Sequence, residues 1–134
     1  MEEQLRSVSS SKKMVAIVDD DPAVRSSLQF SLEIEGYEVR IFSDGTELLI
    51  DPRIARFACL ILDQNLPTLN GLELAQQLRA RSVFNPVILI TSQPSESLRQ
   101  RALAAGIPIV EKPMLGNTLV DTMESLLSRS DCSR

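Results

Sequence analysis

At 134 residues the chain has room for one domain with a central sheet and helices packed on both faces, and 43% hydrophobic residues exclude a disordered segment. A formal charge of -4 argues against a binder of phosphate backbones, so no direct nucleic-acid partner is expected. Histidine is absent, which excludes a histidine general base, the usual mixed zinc site and a phosphohistidine carrier.

With 4% aromatic residues and no Trp, the core must be built from Leu, Ile, Val and Ala, which favours α/β layers over an aromatic-rich sandwich. Residues 1–13 are polar and serine-rich and are expected to form a flexible leader, neither a secretory signal nor an anchor. No later run approaches membrane-spanning length. Cys59, inside an apolar run, and Cys132, near the end, are badly placed for a disulfide framework, so the expected location is the reducing cytoplasm.

Met14-Val15-Ala16-Ile17-Val18 reads as a strand buried on both faces, followed at once by Asp19-Asp20-Asp21-Pro22. Pro22 suits a first helical turn with Asp21 as N-cap, and Val24, Leu28, Phe30, Leu32 and Ile34 are expected on one broad apolar arc before Gly36 stops the helix. The alternation of Tyr37 to Phe42 predicts a strand nearer a sheet edge. Ser43 is expected to cap a short helix that Asp51-Pro52 interrupts.

Cys59-Leu60-Ile61-Leu62 is a second two-sided strand, and Asp63 appears where it stops. Asn70 is expected to cap a helix whose Leu72, Leu74, Ala75 and Leu78 share a face. Asn85-Pro86 breaks the chain before the strand Val87-Ile88-Leu89-Ile90, which ends in Thr91-Ser92. The segment Ser95 to Ala105 offers only Leu98, Ala102 and Ala105 for burial, and such a weakly anchored helix is expected to move. Ile107 to Val110 forms a short strand leading to Glu111-Lys112-Pro113. A last helix carries Leu119, Val120, Met123, Leu126 and Leu127 on one side, with the tail, residues 129–134, frayed.

Strand and helix alternate throughout, which implies a parallel sheet with right-handed crossovers and helices on both faces. Ligands of open parallel sheets bind beyond the carboxyl ends of the strands, and Asp19, Asp20, Asp63, Thr91 and Lys112 all fall there. Three carboxylates gathered in one place repel one another unless a cation sits between them, and oxygen ligands with waters suit Mg2+ better than Zn2+. Given Mg2+, Asp63 can attack phosphorus to form an acyl phosphate neutralised by the ion and Lys112, with Thr91 donating to a further oxygen. Each residue also has a plainer role: the acidic run as a helix cap, Asp63 as a loop acid, Thr91 as the cap of its own helix, Lys112 as a solvated lysine. Independent accidents would not set every one at the same end of successive strands.

Val18-Asp19-Asp20-Asp21-Pro22, Leu62-Asp63-Gln64-Asn65-Leu66-Pro67 with Gly71, Ile90-Thr91-Ser92 and Glu111-Lys112-Pro113 together resemble the response-regulator receiver domain of two-component signalling, over residues 14–128. The resemblance implies a flavodoxin-like, doubly wound α/β fold with a five-stranded parallel sheet in the order 2-1-3-4-5. It implies Asp63 as phosphoacceptor, Asp20, Asp63 and the Asn65 backbone carbonyl as Mg2+ ligands, and Asp19 acting through water. Thr91 would be the switch hydroxyl and Lys112 the partner of the phosphoryl group, with the Lys112-Pro113 bond cis.

The implied donor is a sensor histidine kinase or a histidine phosphotransfer protein. The output would be a changed surface read by a downstream target protein or a covalently linked effector domain, or a phosphorylation-dependent homodimer. In one respect the chain departs from the family, which generally carries Tyr or Phe three residues before the lysine. Here that residue is Ile109, preceded by Pro108, and it has no ring to rotate when Thr91 moves. Asn65 and Gln93 occupy positions that in the family tune hydrolysis of the acyl phosphate.

Chemistry of this kind is self-catalysed phosphoryl acceptance and release, not turnover by an enzyme. Two other readings compete. A phosphatase of the haloacid-dehalogenase type also forms an aspartyl phosphate, but wants a second Asp two residues after the nucleophile, where this chain has Asn65. A degenerate receiver used only for docking is the alternative that Ile109 raises. Nothing after Leu127 can form a helix-turn-helix, so the chain alone is not expected to bind DNA; a stand-alone regulator and the first domain of a longer factor both remain open.

Overall fold

The apolar runs become five parallel strands because they are too short for helices and apolar on both faces. The computed structural model describes residues 12–112 and 118–132, with β1 (Met14–Val18), β2 (Glu38–Phe42), β3 (Cys59–Asp63), β4 (Val87–Thr91) and β5 (Ile109–Glu111). They pair in the order β2-β1-β3-β4-β5, all parallel, with β2 and β5 at the edges. Register aligns Val18 with Phe42 and Leu62, Asp63 with Ile90, and Thr91 with Glu111, so every strand's carboxyl end reaches one rim.

Between the strands run α1 (Pro22–Ile34), α2 (Gly45–Leu49), a single 3-10 turn (Ile54–Arg56), α3 (Gly71–Ala80) and α4 (Glu96–Ala104); α5 (Thr118–Cys132) closes the fold. Side chains alternate across each strand. Ala16, Val18, Leu60, Leu62 and Leu89 pack against Leu48, Leu72, Leu74, Leu78, Leu98 and Ala102 of α2, α3 and α4. Val15, Ile17, Cys59, Ile61, Ile88 and Ile90 face Leu28 and Leu32 of α1 and Leu119, Met123 and Leu127 of α5. Each such Leu or Ile contributes about 2 kcal/mol of transfer free energy.

Local signals set the helix starts. Asp21 caps α1 by accepting from the Ala23 N–H at 2.9 Å. Asn70 and Glu73 form a reciprocal capping box on α3, and Ser95 caps α4. Gly36, at a φ of 100°, takes the left-handed turn that ends α1.

Several expectations need correction. The cap of α2 is Asp44, whose carboxylate accepts from the Thr46 and Glu47 N–H groups; Ser43 stands one residue earlier and bonds the Glu47 carboxylate. Phe30 and Ile34 do not join the buried arc of α1 and are 67% and 66% exposed, because only the stripe through Leu28 and Leu32 meets the sheet. On α4, Leu98 and Ala102 are buried while Ala105 lies exposed just past the last turn. The final strand begins at Ile109, not Ile107, and α5 continues past Ser128 to Cys132. Residues 1–11 of the expected leader, Pro113 with its expected cis bond, and residues 133–134 of the expected tail lie outside the described residues. Among the described residues no helix is long and apolar enough to cross a membrane.

Cys59 is fully buried in β3, and burial pushes its thiol up to about 12. The thiolate being the nucleophile, iodoacetamide at about pH 8 is expected to leave the Cys59 peptide unmodified in the folded protein and to alkylate it in urea. Modification under native conditions, read by peptide mass, would contradict this packing of the central strand.

Candidate functional site

The rim at the carboxyl ends of β1, β3, β4 and β5 gathers the polar side chains of the core: Asp19, Asp63 and Thr91 are the buried polar or charged residues among those described. Burying them unpartnered is costly, so what surrounds each one matters.

The acidic run after β1 divides its labour. Asp21 caps α1, as above. Asp19 turns inward, is fully buried, and its Oδ1 accepts from the Asp21 N–H at 2.9 Å. Asp20 is exposed and has no side-chain hydrogen bond or ion pair among the described residues. Carboxylate oxygens of Asp19, Asp20 and Asp63 nevertheless lie within 4.8 Å of one another.

Lys112 enters between two of them. Its main-chain N–H donates to the Thr91 carbonyl at 2.8 Å, fixing the end of β5 beside β4. Its Nζ then lies 3.3 Å from Asp63 Oδ1 and 3.2 Å from Asp19 Oδ2, with the side chain 22% exposed. The contact to Asp63 is a hydrogen bond, whereas Asp19 Oδ2 is in ion-pair range and has no hydrogen-bond partner among the described residues. Lys112 is therefore no solvated surface lysine, and one buried carboxylate oxygen stays under-coordinated.

Electrostatics follow from this packing. Burial, aided by the charge of Asp19, raises the Asp63 carboxyl above the usual carboxylate range, although the Asn65 N–H and Lys112 pull the other way. Burial alone would lower the Lys112 ammonium, but attraction from Asp63 and Asp19 outweighs it and the net direction is up. The cluster thus holds excess negative charge that one lysine does not balance. Three carboxylates of suitable spacing, one of them carrying a buried oxygen with no donor among the described residues, fit a hard dication such as Mg2+.

Asp63 is held by the start of α3. Asn65 N–H donates to Asp63 Oδ1 at 3.2 Å, Gln64 N–H bonds Ile90 O at 2.9 Å, and the Gln64 side chain accepts from the Leu72 N–H at 2.9 Å. Gly71 lets this helix approach: a Cβ there would stand 2.8 Å from the Asp63 carbonyl oxygen and 2.7 Å from Leu89 Cδ2. The carbonyl belongs to the central strand and cannot yield. Gly71→Ala is expected to lower stability by about 1–3 kcal/mol in urea unfolding, the range for overpacking a core; an unchanged midpoint would contradict it.

Thr91 is buried at the end of β4, and among the described residues its hydroxyl makes only a long 3.4 Å bond to the Ser92 carbonyl. It does not cap α4, since Ser95 does. Gln93 sits in the same loop with a φ of 50°, a left-handed conformation unusual for a residue with a Cβ. Ile109 is partly buried and packs against the core layer of α2, α3 and α4. Two contributors escaped the sequence reading: the Gln64 side chain, and Arg25, whose Nη1 donates to the Asp19 carbonyl at 2.8 Å. A cation one turn into the helix after the acidic run was the available signal for the second.

A parallel 2-1-3-4-5 sheet with acids and a lysine meeting at its carboxyl rim defines the flavodoxin-like receiver class. The chain belongs to the response regulator receiver domain family, whose family model matches residues 15–124. It is 38% identical over 117 residues to response regulator MprA of Mycobacterium avium (strain 104), covering 87% of this chain and 51% of that protein. The chain thus spans about half the length of the curated relatives it matches.

Among solved structures it is similar to chemotaxis protein CheY4 of Vibrio cholerae, with a TM-score of 0.78, 31% identity and coverage of 86% of this chain and 98% of that one. A CheY-like receiver domain protein from Methanospirillum hungatei JF-1 superposes with a TM-score of 0.83 at 29% identity, covering 92% of this chain and 100% of that chain.

Proposed function

We propose that the chain is a phosphorylation-activated receiver: Asp63 accepts a phosphoryl group from a histidine kinase or histidine phosphotransfer protein in a Mg2+-dependent reaction, and the modified domain presents a changed surface to a protein partner. The observation that supports this most is the meeting of Asp19, Asp20 and Asp63 within 4.8 Å, with Lys112 Nζ in contact with two of them.

Asp20, Asp63 and the Asn65 carbonyl would hold Mg2+, with Asp19 acting through water, and the ion when bound supplies positive charge against the acids and an incoming phosphoryl group. The chain's own residues do the rest. Asp63 Oδ attacks phosphorus while the P–N bond of the donor phosphohistidine breaks. The Asn65 N–H and Lys112 orient the attacking carboxylate, and burial keeps it more basic, hence a better nucleophile, than an ordinary aspartate. Lys112 then faces the transferred oxygens, and Thr91, whose hydroxyl has only one long bond to lose among the described residues, can turn toward them.

A swing from mostly off to mostly on needs roughly 5 kcal/mol of differential stabilisation, which a doubly charged group beside Lys112 can approach. Ile109 provides no aromatic ring to report the movement of Thr91, so the output runs through α4, weakly anchored by Leu98 and Ala102, and through α5. The receiver unit spans residues 14–128, acts in the cytoplasm, and works through proteins, whether a separate target, a linked effector domain or a second copy.

Acetyl phosphate with Mg2+ is expected to give a retarded band in phosphate-affinity electrophoresis, absent in EDTA. No band under any condition would favour the phosphorylation-independent docking module.

A further inference from the structure

We infer that Arg25 is a positioning residue for the cation site, clamping the peptide that joins Asp19 to Asp20 so that the exposed Asp20 carboxylate is held where a divalent ion needs it. This rests on the reading of the rim as a Mg2+-dependent phosphoacceptor site. The Asp19 carbonyl lies in the plane of the Asp19-Asp20 peptide bond, so fixing that oxygen fixes the nitrogen from which Asp20 starts. Besides its ion pair with Lys112, Asp19 is held among the described residues by three hydrogen bonds: its N–H donates to Phe42 O at 3.1 Å, its Oδ1 accepts from the Asp21 N–H at 2.9 Å, and its carbonyl accepts from Arg25 Nη1 at 2.8 Å.

Asp20 has no side-chain partner of its own among the described residues, so its direction is set through the backbone. Arg25 can reach back because α1 starts at Pro22 and its own N–H bonds the Asp21 carbonyl at 3.0 Å, which stations the side chain one turn above the rim.

Charge and position make opposite forecasts, which is what makes the role testable. As a mere charge, Arg25 repels a dication, and removing it would tighten Mg2+ binding. As a clamp, its removal frees the peptide and weakens binding, by about tenfold if it behaves like other outer-shell supports of a metal site.

The test is titration of the full chain with MgCl2, followed by the amide resonances of Asp20 and Asn65, for wild type, Arg25→Gln and Arg25→Lys, each first checked for folding by circular dichroism. Expected are a Kd about tenfold higher for Arg25→Gln and partial recovery for Arg25→Lys, which keeps a donor but not the planar fork. If Arg25→Gln does not fold, Arg25→Lys carries the test, and a Kd no higher than wild type overturns the role. Wild-type binding with equal or tighter binding in Arg25→Gln overturns the role of Arg25 alone. A wild type that binds no Mg2+ overturns the reading of the site and this role with it.

Discussion

Asp63→Asn is expected to abolish labelling by acetyl phosphate and, in EDTA, to raise the melting temperature by a few degrees. Loss of labelling follows from loss of the nucleophile, since the amide oxygen of Asn is a poor attacker of phosphorus. The gain in stability follows from the raised Asp63 carboxyl. A buried acid whose folded-state value stands above the unfolded 3.8 binds protons more tightly when native. Between those two values the native state holds more protons than the unfolded one, so stability falls as pH rises through that window and stays lower at neutral pH.

Asn carries no charge to lose, so its curve should lack this decline and run above the wild type at neutral pH. Melting curves from pH 3 to pH 8 check both parts. A variant less stable than wild type at neutral pH in EDTA would mean that the bond from Lys112 outweighs burial and Asp19.

Lys112→Met should act in the opposite sense. Among the described residues Lys112 is the one cation within ion-pair range of Asp19, which is fully buried, and without it they offer Oδ2 neither a donor nor a countercharge. Breaking a buried pair on one side costs about 3–5 kcal/mol, and a loss near 3 is expected because the Lys112 side chain is 22% exposed and partly solvated. The raised Lys112 ammonium gives the same sign: its contribution is fully present below the unfolded value of 10.5 and is lost as pH climbs through the higher folded one.

Saturating Mg2+ should restore part of the loss, because a dication among the acids replaces the missing charge, so the Mg2+-induced stabilisation should be larger in Lys112→Met than in wild type. Urea unfolding with and without Mg2+ measures the difference. Equal stabilisation in the two proteins would show that the ion and Lys112 do not share the same field.

What the sequence made readable was the kind of each element and the end at which its chemistry sits. Strands apolar on both faces can only be interior to a sheet, so Ile17, Ile61 and Ile88 fall into place from the apolar runs, as do Asp21 and Asn70 as caps from their positions just before a helix. The flank a helix turns to its neighbours was not readable. Phe30 and Ile34 look like core residues by spacing, yet the stripe of α1 that meets the sheet runs through Leu28 and Leu32.

Capping was misread at Ser43 because Asp44 is an equally good cap one residue later, and the backbone chose the one whose carboxylate reaches two N–H groups. The site's residue types and common rim were visible in advance, since they depend on strand ends. Supports acting across the fold were not: the close approach of Gly71 to the Asp63 carbonyl and the reach of Arg25 to the Asp19 carbonyl depend on how helices seat on the sheet.

Borohydride reduction of the phosphorylated chain, followed by peptide mass mapping, addresses most directly whether Asp63 carries the phosphoryl group, because an aspartyl phosphate is reduced to homoserine at the residue that held it. After acetyl phosphate and Mg2+, homoserine is expected at position 63 and nowhere else, and not at all when EDTA replaces Mg2+. Homoserine at Asp19 or Asp20, or label at position 63 that is indifferent to Mg2+, would contradict the account.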